Sequence, residues 1–264
     1  MRSWAAQRGR RRATVHMFLP DHYQQKAAST VLLPNSSNQI ISLFWPAEGG
    51  RARRVVTRSR CRSTRKYPSL KAGPMVQAES PHERNAFVLL DACPAVTAFR
   101  EQPVVIRFAL DGVEHRHYPD ILVTFADDSR EFWEIKPRRD AEDERVSART
   151  RLMTAGLPRF GFRYRMVLAE DLSRQPRLGL AQDLLRHGKC AIDDVSRERI
   201  RKAFRAAPVI RWQSALKGDL GPHGRSALCR LVLEGVVSCG AASRLTSETQ
   251  FTWVMSKSRI SFSN

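Results

Sequence analysis

The sequence predicts an α/β fold in which a mixed sheet is flanked by helices. Strand-like runs cluster between residues 104 and 136, and helix signals stand on both sides of them. After residue 170 the pattern becomes helical. The order helix, hairpin strands, strand, helix, strand is typical of a sheet with helices packed against it. The chain has 264 residues, 42% of them hydrophobic, which is enough for one large or two modest domains.

The first predicted helix begins at Ser80-Pro81-His82-Glu83 and continues to about Asp91. Ser80 can cap the helix, Pro81 suits its first position, and Glu83 can complete a capping box. Strands are predicted at residues 104–108, 113–117, 121–125, 131–136 and 162–168. Asp111-Gly112 and Asp127-Asp128-Ser129 are the predicted hairpin turns. A polar helix is predicted over residues 140–153, between the last two strands.

The carboxy-terminal part is predicted to be a small helical module. Helices are expected at residues 182–186, 195–206 and 226–233, followed by a strand at residues 251–254. Helices that precede a short terminal hairpin suit a helix-turn-helix or winged-helix-like domain. The predicted organisation is therefore a basic arm or linker at residues 1–74, a sheet domain at 75–170 and an accessory domain at 171–264.

Positive charge is concentrated at the amino terminus. The net charge is +19, and residues 1–72 hold 15 basic and two acidic side chains, against 30 and 24 in the remainder. Such an excess favours contact with nucleic acid, although a basic terminus can also be only a solvated tail. The candidate phosphate contacts are Arg53, Arg54, Arg58, Arg60, Arg62, Arg65 and Lys66.

The cysteines and the hydropathy indicate the compartment. The five cysteines include no C-x-x-C pair, so neither a disulfide framework nor a zinc site is expected. No apolar run approaches the length of a membrane span, and no secretory signal follows Met1. A soluble cytoplasmic protein, associated with the nucleoid when bound to DNA, is the expectation.

The residues that carry chemistry lie on two consecutive predicted strands. Pro119-Asp120 begins one strand, and Glu134-Ile135-Lys136 ends the next. Residues two apart on a strand share a face, so Glu134 and Lys136 point together while Ile135 points into the core. The intervening turn brings Asp120 and Glu134 to the same end of two antiparallel neighbours. Two carboxylates and a lysine are therefore predicted to share one small surface.

This surface suits phosphodiester hydrolysis. Two close carboxylates repel each other, and a hard divalent cation such as Mg²⁺, with Mn²⁺ as a substitute, relieves that repulsion. Lys136 can orient or help to deprotonate the attacking water and can offset transition-state charge, and Glu83 can supply a third carboxylate. His115 and His117 alternate on one strand and could contact DNA or metal, but they are interpreted as ordinary surface residues.

Several motifs together resemble TnsA-type transposon endonucleases, a family of the PD-(D/E)xK superfamily. They are Tyr67-Pro68-Ser69-Leu70-Lys71, Glu79-Ser80-x-x-Glu83, Phe99-Arg100-Glu101-Gln102-Pro103, His117-Tyr118-Pro119-Asp120 and Glu134-Ile135-Lys136. The resemblance covers roughly residues 53–168 and implies a restriction-endonuclease-like fold. It places the family's catalytic residues at Glu83, Asp120 and Lys136. Some members carry glutamine at the position of Glu134, and the Ile135 carbonyl is an expected further metal ligand.

The resemblance also implies a function. Such a Mg²⁺-dependent endonuclease cuts the strand at each transposon end that its partner transposase does not cut, and the carboxy-terminal domain contacts the transposition machinery, including an ATPase regulator. Two alternatives stay open from the residues. One is a stand-alone restriction or repair nuclease, which would cut DNA without a partner, and the other is a noncatalytic DNA-binding assembly protein, which would bind no divalent metal.

Overall fold

The computed structural model describes residues 37–46, 50–52, 65–73, 75–240 and 244–254, which divide into two units. The first unit holds the described residues up to Asp91 together with residues 95–174, and the second holds residues 92–94 and those from Gln175 onward. No helix in these described ranges is long and apolar enough to cross a membrane.

Elements are numbered in chain order. The first unit contains β1 (Gln39–Phe44), β2 (Arg65–Tyr67), β3 (Val76–Ala78), α1 (Pro81–Ala92, whose last residue falls in the second unit), β4 (Val96–Glu101), β5 (Val105–Leu110), β6 (Val113–His117), β7 (Ile121–Phe125), β8 (Arg130–Lys136), α2 (Arg138–Ala141), α3 (Glu144–Gly156), β9 (Arg163–Leu168) and α4 (Ala169–Leu172). A short 3₁₀ turn, Leu157–Phe160, joins α3 to β9.

The central sheet of this unit is mixed, as predicted. Its strand order is β4-β7-β8-β9, with antiparallel pairs except for the parallel pair of β8 and β9. The connection between β8 and β9 contains α2 and α3, as a crossover between parallel strands requires. Both predicted hairpin turns are confirmed: Asp111 and Gly112 have φ of 52° and 78°, and Asp128 has φ of 62°. Two consecutive positive φ angles are typical of the two-residue turn that suits twisted strands.

Four strands of this unit, β1 to β4, were not predicted. The three-residue strands β2 and β3 form an antiparallel pair with each other. β1, which the sequence places in the arm, pairs with β5 in a second sheet of order β1-β5-β6, and its Ile40 is buried in the core. β4 is an edge strand of the central sheet. Both strands carry a register shift, between Ile40 and Ser42 in β1 and between Val96 and Ala98 in β4. Such a bulge interrupts the alternation of buried and exposed residues by which a strand is recognised in a sequence.

The prediction of one continuous polar helix over residues 140–153 is wrong. It is two helices, α2 and α3, separated at Glu142 and Asp143. The Asp143 carboxylate accepts hydrogen bonds from the amides of Arg145 (2.9 Å) and Val146 (3.1 Å), and so caps α3. An aspartate in this role satisfies amides that have no partner within the helix, and a new helix therefore begins at this residue.

The second unit contains α5 (Arg177–Gly188), α6 (Asp194–Ala206), β10 (Val209–Arg211), α7 (Trp212–Lys217), α8 (Gly224–Leu233), β11 (Val237–Cys239) and β12 (Gln250–Trp253). The three predicted helices and the terminal strand are confirmed within α5, α6, α8 and β12. Its strands form an antiparallel sheet of order β10-β12-β11. The strands β10 and β11 were not predicted, because each has only three residues.

Gly188 allows α5 and α8 to approach closely. A Cβ at this position would lie 2.7 Å from both the Arg230 amide nitrogen and the Cys229 carbonyl carbon. Gly188→Ala is expected to lower the free energy of unfolding by about 1–3 kcal/mol, because backbone atoms cannot move aside as a side chain can. This cost exceeds the gain in helix propensity, at most about 1 kcal/mol.

Chemical denaturation of the two proteins measures the difference. Gly240→Ala is the matched control, because a Cβ there meets nothing within 4 Å. Equal stability of the Gly188 variant and wild type would contradict the close approach.

Candidate active site

Asp120 lies directly opposite Glu134 on neighbouring strands. The register of β7 and β8 pairs Ile121 with Trp133, and the Asp120 amide donates to the Trp133 carbonyl at 3.0 Å. The Asp120 Oδ2 accepts a hydrogen bond from the Ile135 amide at 2.7 Å, which fixes the half-buried carboxylate at the end of β8. The predicted meeting of the two acidic residues is therefore observed.

Glu134 and Lys136 share one face of β8. The Lys136 Nζ lies 3.0 Å from Glu134 Oε1, and the side chain of Glu134 is only 4% exposed against 32% for Lys136. Ile135 between them is buried on the opposite side, as its position in a strand requires. Asp120, Glu134 and Lys136 consequently form one cluster at the ends of two strands.

The protonation states of this cluster follow from burial and from mutual repulsion. Burial and the neighbouring Glu134 carboxylate raise the pKa of Asp120 well above its usual range, and Glu83 adds to this effect. Burial alone would lower the pKa of Lys136, but the Glu134 carboxylate outweighs it and raises that pKa above its ordinary value. Lys136 is therefore an ammonium at neutral pH, suited to donating hydrogen bonds and unable to accept a proton.

Three further residues complete the surroundings of Glu134. His117 at the end of β6, Arg149 on α3 and Tyr164 on β9 were not predicted as site residues. The Arg149 Nη2 lies 3.3 Å from Glu134 Oε1. The His117 Nε2 lies 3.4 Å from Glu134 Oε2 and 3.0 Å from the Tyr164 hydroxyl. The surface interpretation is thus wrong for His117, which is 5% exposed, whereas His115 is exposed on the same strand.

The buried oxygen Glu134 Oε2 has no hydrogen-bond partner among the described residues. Burial, together with the charges of Arg149 and Lys136, lowers the pKa of His117 to about 3, so its ring is neutral. The His117 Nε2 shares a hydrogen bond with the Tyr164 hydroxyl and makes none to Glu134 Oε2. An orphaned buried carboxylate oxygen beside a second carboxylate fits a hard divalent cation.

Glu83 is in a different arrangement from the one predicted for a metal ligand. Its Oε2 accepts from the Glu79 amide (2.8 Å) and its Oε1 from the Ser80 hydroxyl (3.0 Å), while Ser80 Oγ accepts from the Glu83 amide (3.1 Å). Ser80 is thereby confirmed as the cap, but Glu83 accepts from the Glu79 amide and not from that of Ser80, so the predicted capping box is only half formed, and both carboxylate oxygens are engaged. Within the described ranges, no group of three or more His, Cys, Asp or Glu side chains has a geometry that could hold a metal. Two of the three predicted carboxylates are thus brought together.

The arginine-rich part of the basic arm, residues 51–66, is described only at its two ends. Arg53, Arg54, Arg58, Arg60 and Arg62 lie outside the described residues, whereas Arg65 and Lys66 are exposed on β2. Before the gap, the Ala52 amide donates to the Gln102 carbonyl (2.9 Å), and the Gln102 amide donates to the Asp120 carbonyl (2.8 Å). Ala52, at the amino-terminal end of this arginine-rich part, is thus connected to the backbone of Asp120 by two hydrogen bonds through Gln102.

A family model matches part of the chain. The family model described as TnsA-like endonuclease N terminal matches residues 93–168. This range contains Asp120, Glu134 and Lys136, together with His117, Arg149 and Tyr164. Glu83 and all residues from Gln175 onward lie outside it. The match confirms the resemblance to TnsA-type endonucleases over the central sheet and supports a transposon-related nuclease. No curated protein matches the chain.

Proposed function

We propose that this chain is a metal-dependent DNA endonuclease that hydrolyses a phosphodiester bond at transposon ends, as the second cutting subunit of a cut-and-paste transposase. The observation that carries the proposal is the pairing of Asp120 with Glu134 beside Lys136, within the segment that matches the endonuclease family. The mixed sheet that presents these residues at its strand ends supports a restriction-endonuclease-like fold.

The proposed roles follow from the donor set. Asp120, Glu134 through its orphaned Oε2, and the Ile135 carbonyl would hold Mg²⁺, or Mn²⁺ in its place. Glu83 is proposed as a further ligand, for which its carboxylate would leave the Ser80 hydroxyl. The ion, when bound, would lower the pKa of a water and polarise the phosphate. The Lys136 ammonium orients that water and offsets the charge that develops on the phosphate oxygens.

Residues 51–66 are proposed to bind the DNA backbone. Arg65 and Lys66 are exposed at the carboxy-terminal flank, and five further arginines lie between residues 53 and 62. Contacts to phosphate position a duplex without reading its sequence, and they weaken steeply as salt rises. Choice of site would then come from the transposase, which is the partner that the family implies.

The second unit is proposed to be a winged-helix-like domain that contacts the transposition machinery, including an ATPase regulator. Its element order α6-β10-α7-α8-β11-β12 and strand order β10-β12-β11 support this assignment. The helix α8 stands where helix-turn-helix proteins place the helix that reads DNA. Within α8, which is described throughout, only Arg225 is exposed, and α5 closes against the helix at Gly188. This burial favours a protein partner over reading of DNA by α8.

Cleavage of DNA that carries the element's ends tests the proposal. The substrate is mixed with the cognate transposase and Mg²⁺, and wild type is compared with Asp120→Ala and Lys136→Ala. Wild type is expected to cut only with its partner, and both variants are expected to fail while still assembling. Each protein is also tested without transposase.

The other results separate the alternatives. Cutting without the transposase would favour a stand-alone nuclease. Absence of cutting by wild type, together with no binding of Mn²⁺, would favour a noncatalytic assembly protein. Unchanged cutting by both variants would show that the active site lies elsewhere.

A further inference from the structure

Arg149 is a second cation on a carboxylate that already has one. Its Nη2 lies 3.3 Å from Glu134 Oε1, the same oxygen that the Lys136 ammonium contacts at 3.0 Å. Two cations therefore meet at one oxygen of Glu134, beside the Asp120 carboxylate. The proposed reaction would bring a negatively charged phosphate to the same place.

The guanidinium of Arg149 is also incompletely used. It donates to Glu134, but its buried Nε has no hydrogen-bond partner among the described residues. An arginine offers five donors in a fixed fork, and a buried donor without a partner is costly unless something else satisfies it. The side chain is 23% exposed, and it contacts the same Glu134 oxygen as the partly exposed Lys136.

The position of Arg149 is set by rigid elements. α3 begins at the Asp143 cap, and Tyr164 lies on β9, which pairs in parallel with β8. The guanidinium is thereby held beside the end of β8, where Glu134 and Lys136 lie. A pre-positioned arginine of this kind stabilises the extra negative charge of a phosphoryl transition state.

We propose that Arg149 is a catalytic residue that binds a nonbridging oxygen of the scissile phosphate, and that its contact with Glu134 is the resting position of the guanidinium before DNA binds. This inference rests on the proposed function. Its physical basis is the fork of donors, which matches a phosphate in a way that a single ammonium does not.

Single-turnover cleavage with transposase and Mg²⁺ provides the first test. Arg149→Ala is expected to lower the cleavage rate constant about 100-fold, the effect of removing one donor to a developing oxyanion. Arg149→Lys keeps the charge but not the forked donors of the guanidinium, and its cleavage rate constant is expected to lie between those of wild type and the alanine variant. Arg151→Ala, an exposed arginine on the same helix, is the matched control and should cleave as wild type does.

A substrate with a methylphosphonate at the scissile position distinguishes direct contact of Arg149 with the phosphate from an indirect effect through Glu134. In wild type, one diastereomer should lose cleavage strongly because the methyl group removes the oxygen that Arg149 binds. In Arg149→Ala the same substitution should cost less than about tenfold, since the contact is already absent. An equal loss in both proteins would overturn the proposal.

Binding of Mn²⁺ to the protein without DNA is the readout independent of cleavage. Arg149→Ala is expected to bind Mn²⁺ at least as tightly as wild type, because Glu134 loses a competing cation. Weaker binding would mean that Arg149 only positions Glu134, and would overturn the proposal. Cutting by wild type with unchanged cutting by Arg149→Ala would overturn this inference alone. Failure of wild type to cut with its transposase would remove the proposed function and this inference with it.

Discussion

Glu134→Ala is expected to lower the rate constant of end cleavage by about 1000-fold. The substitution removes the proposed metal ligand with the orphaned oxygen and leaves Lys136 and Arg149 without their shared counter-charge. A metal ion contributes several kcal/mol of transition-state charge stabilisation. At about 1.4 kcal/mol for each tenfold change in rate, that contribution corresponds to about three orders of magnitude. Single-turnover cleavage with the transposase and Mg²⁺ measures it.

Glu134→Gln is the matched control for this prediction. The glutamine amide keeps an oxygen that can ligate a metal, and some members of the family that the chain resembles carry glutamine here. Its activity should therefore lie well above that of the alanine variant. Mn²⁺ binding without DNA should follow the same order, wild type first and alanine last. If the alanine variant bound Mn²⁺ as wild type does, Glu134 would not be a ligand.

The core of the candidate site could be predicted because it depends on local geometry. The two-residue period of a strand places Glu134 and Lys136 on one face, and a tight turn at residues 127–129 brings Asp120 opposite Glu134. Both rules operate within about seventeen residues of chain. No knowledge of distant elements is required.

The remaining residues around Glu134 could not be predicted because long-range packing places them. Tyr164 reaches the site through the parallel pairing of β8 with β9, across a connection that holds α2 and α3. Arg149 is one of several arginines on α3, and its sequence neighbours do not distinguish it. His117 was found as a candidate only through its alternation with His115. The role of Glu83 could not be decided from the sequence either. The same motif is compatible with a carboxylate bonded at the start of the helix and with a carboxylate that binds metal.

Asp91 illustrates the same limit for the fold. In the sequence it is the last residue of a predicted helix, and Tyr67-Pro68-Ser69-Leu70-Lys71 is a motif without an assigned role. In the structure the fully buried Asp91 accepts four hydrogen bonds from that motif. The donors are the hydroxyls of Tyr67 (2.9 Å) and Ser69 (2.8 Å) and the amides of Leu70 (3.0 Å) and Lys71 (3.2 Å). The motif is therefore the anchor by which the carboxy-terminal end of the basic arm is fixed to α1.

Asp91→Asn is expected to lower the free energy of unfolding of the first unit by about 3 kcal/mol. Asparagine retains one acceptor oxygen, but its amide nitrogen at the place of Oδ2 would face the Leu70 amide, which can only donate, whereas the Tyr67 hydroxyl can turn to accept from it. The hydrogen bond lost from the charged acceptor costs about 1.5 kcal/mol, and the Leu70 amide left without an acceptor costs about as much again. Chemical denaturation, followed by a probe in the first unit, measures this change.

Asp140→Asn provides the comparison, because Asp140 is an exposed residue of α2 whose carboxylate contacts the exposed Arg139. The same chemical change there should alter stability by less than about 0.5 kcal/mol. A loss of about 3 kcal/mol at Asp91 with none at Asp140 would show that the carboxylate of Asp91 anchors the segment. Release of this segment in Asp91→Asn should also weaken binding of the protein to DNA at low salt, because Arg65 and Lys66 directly precede Tyr67. Equal stability of both variants and wild type would contradict the anchor and leave the motif without a structural role.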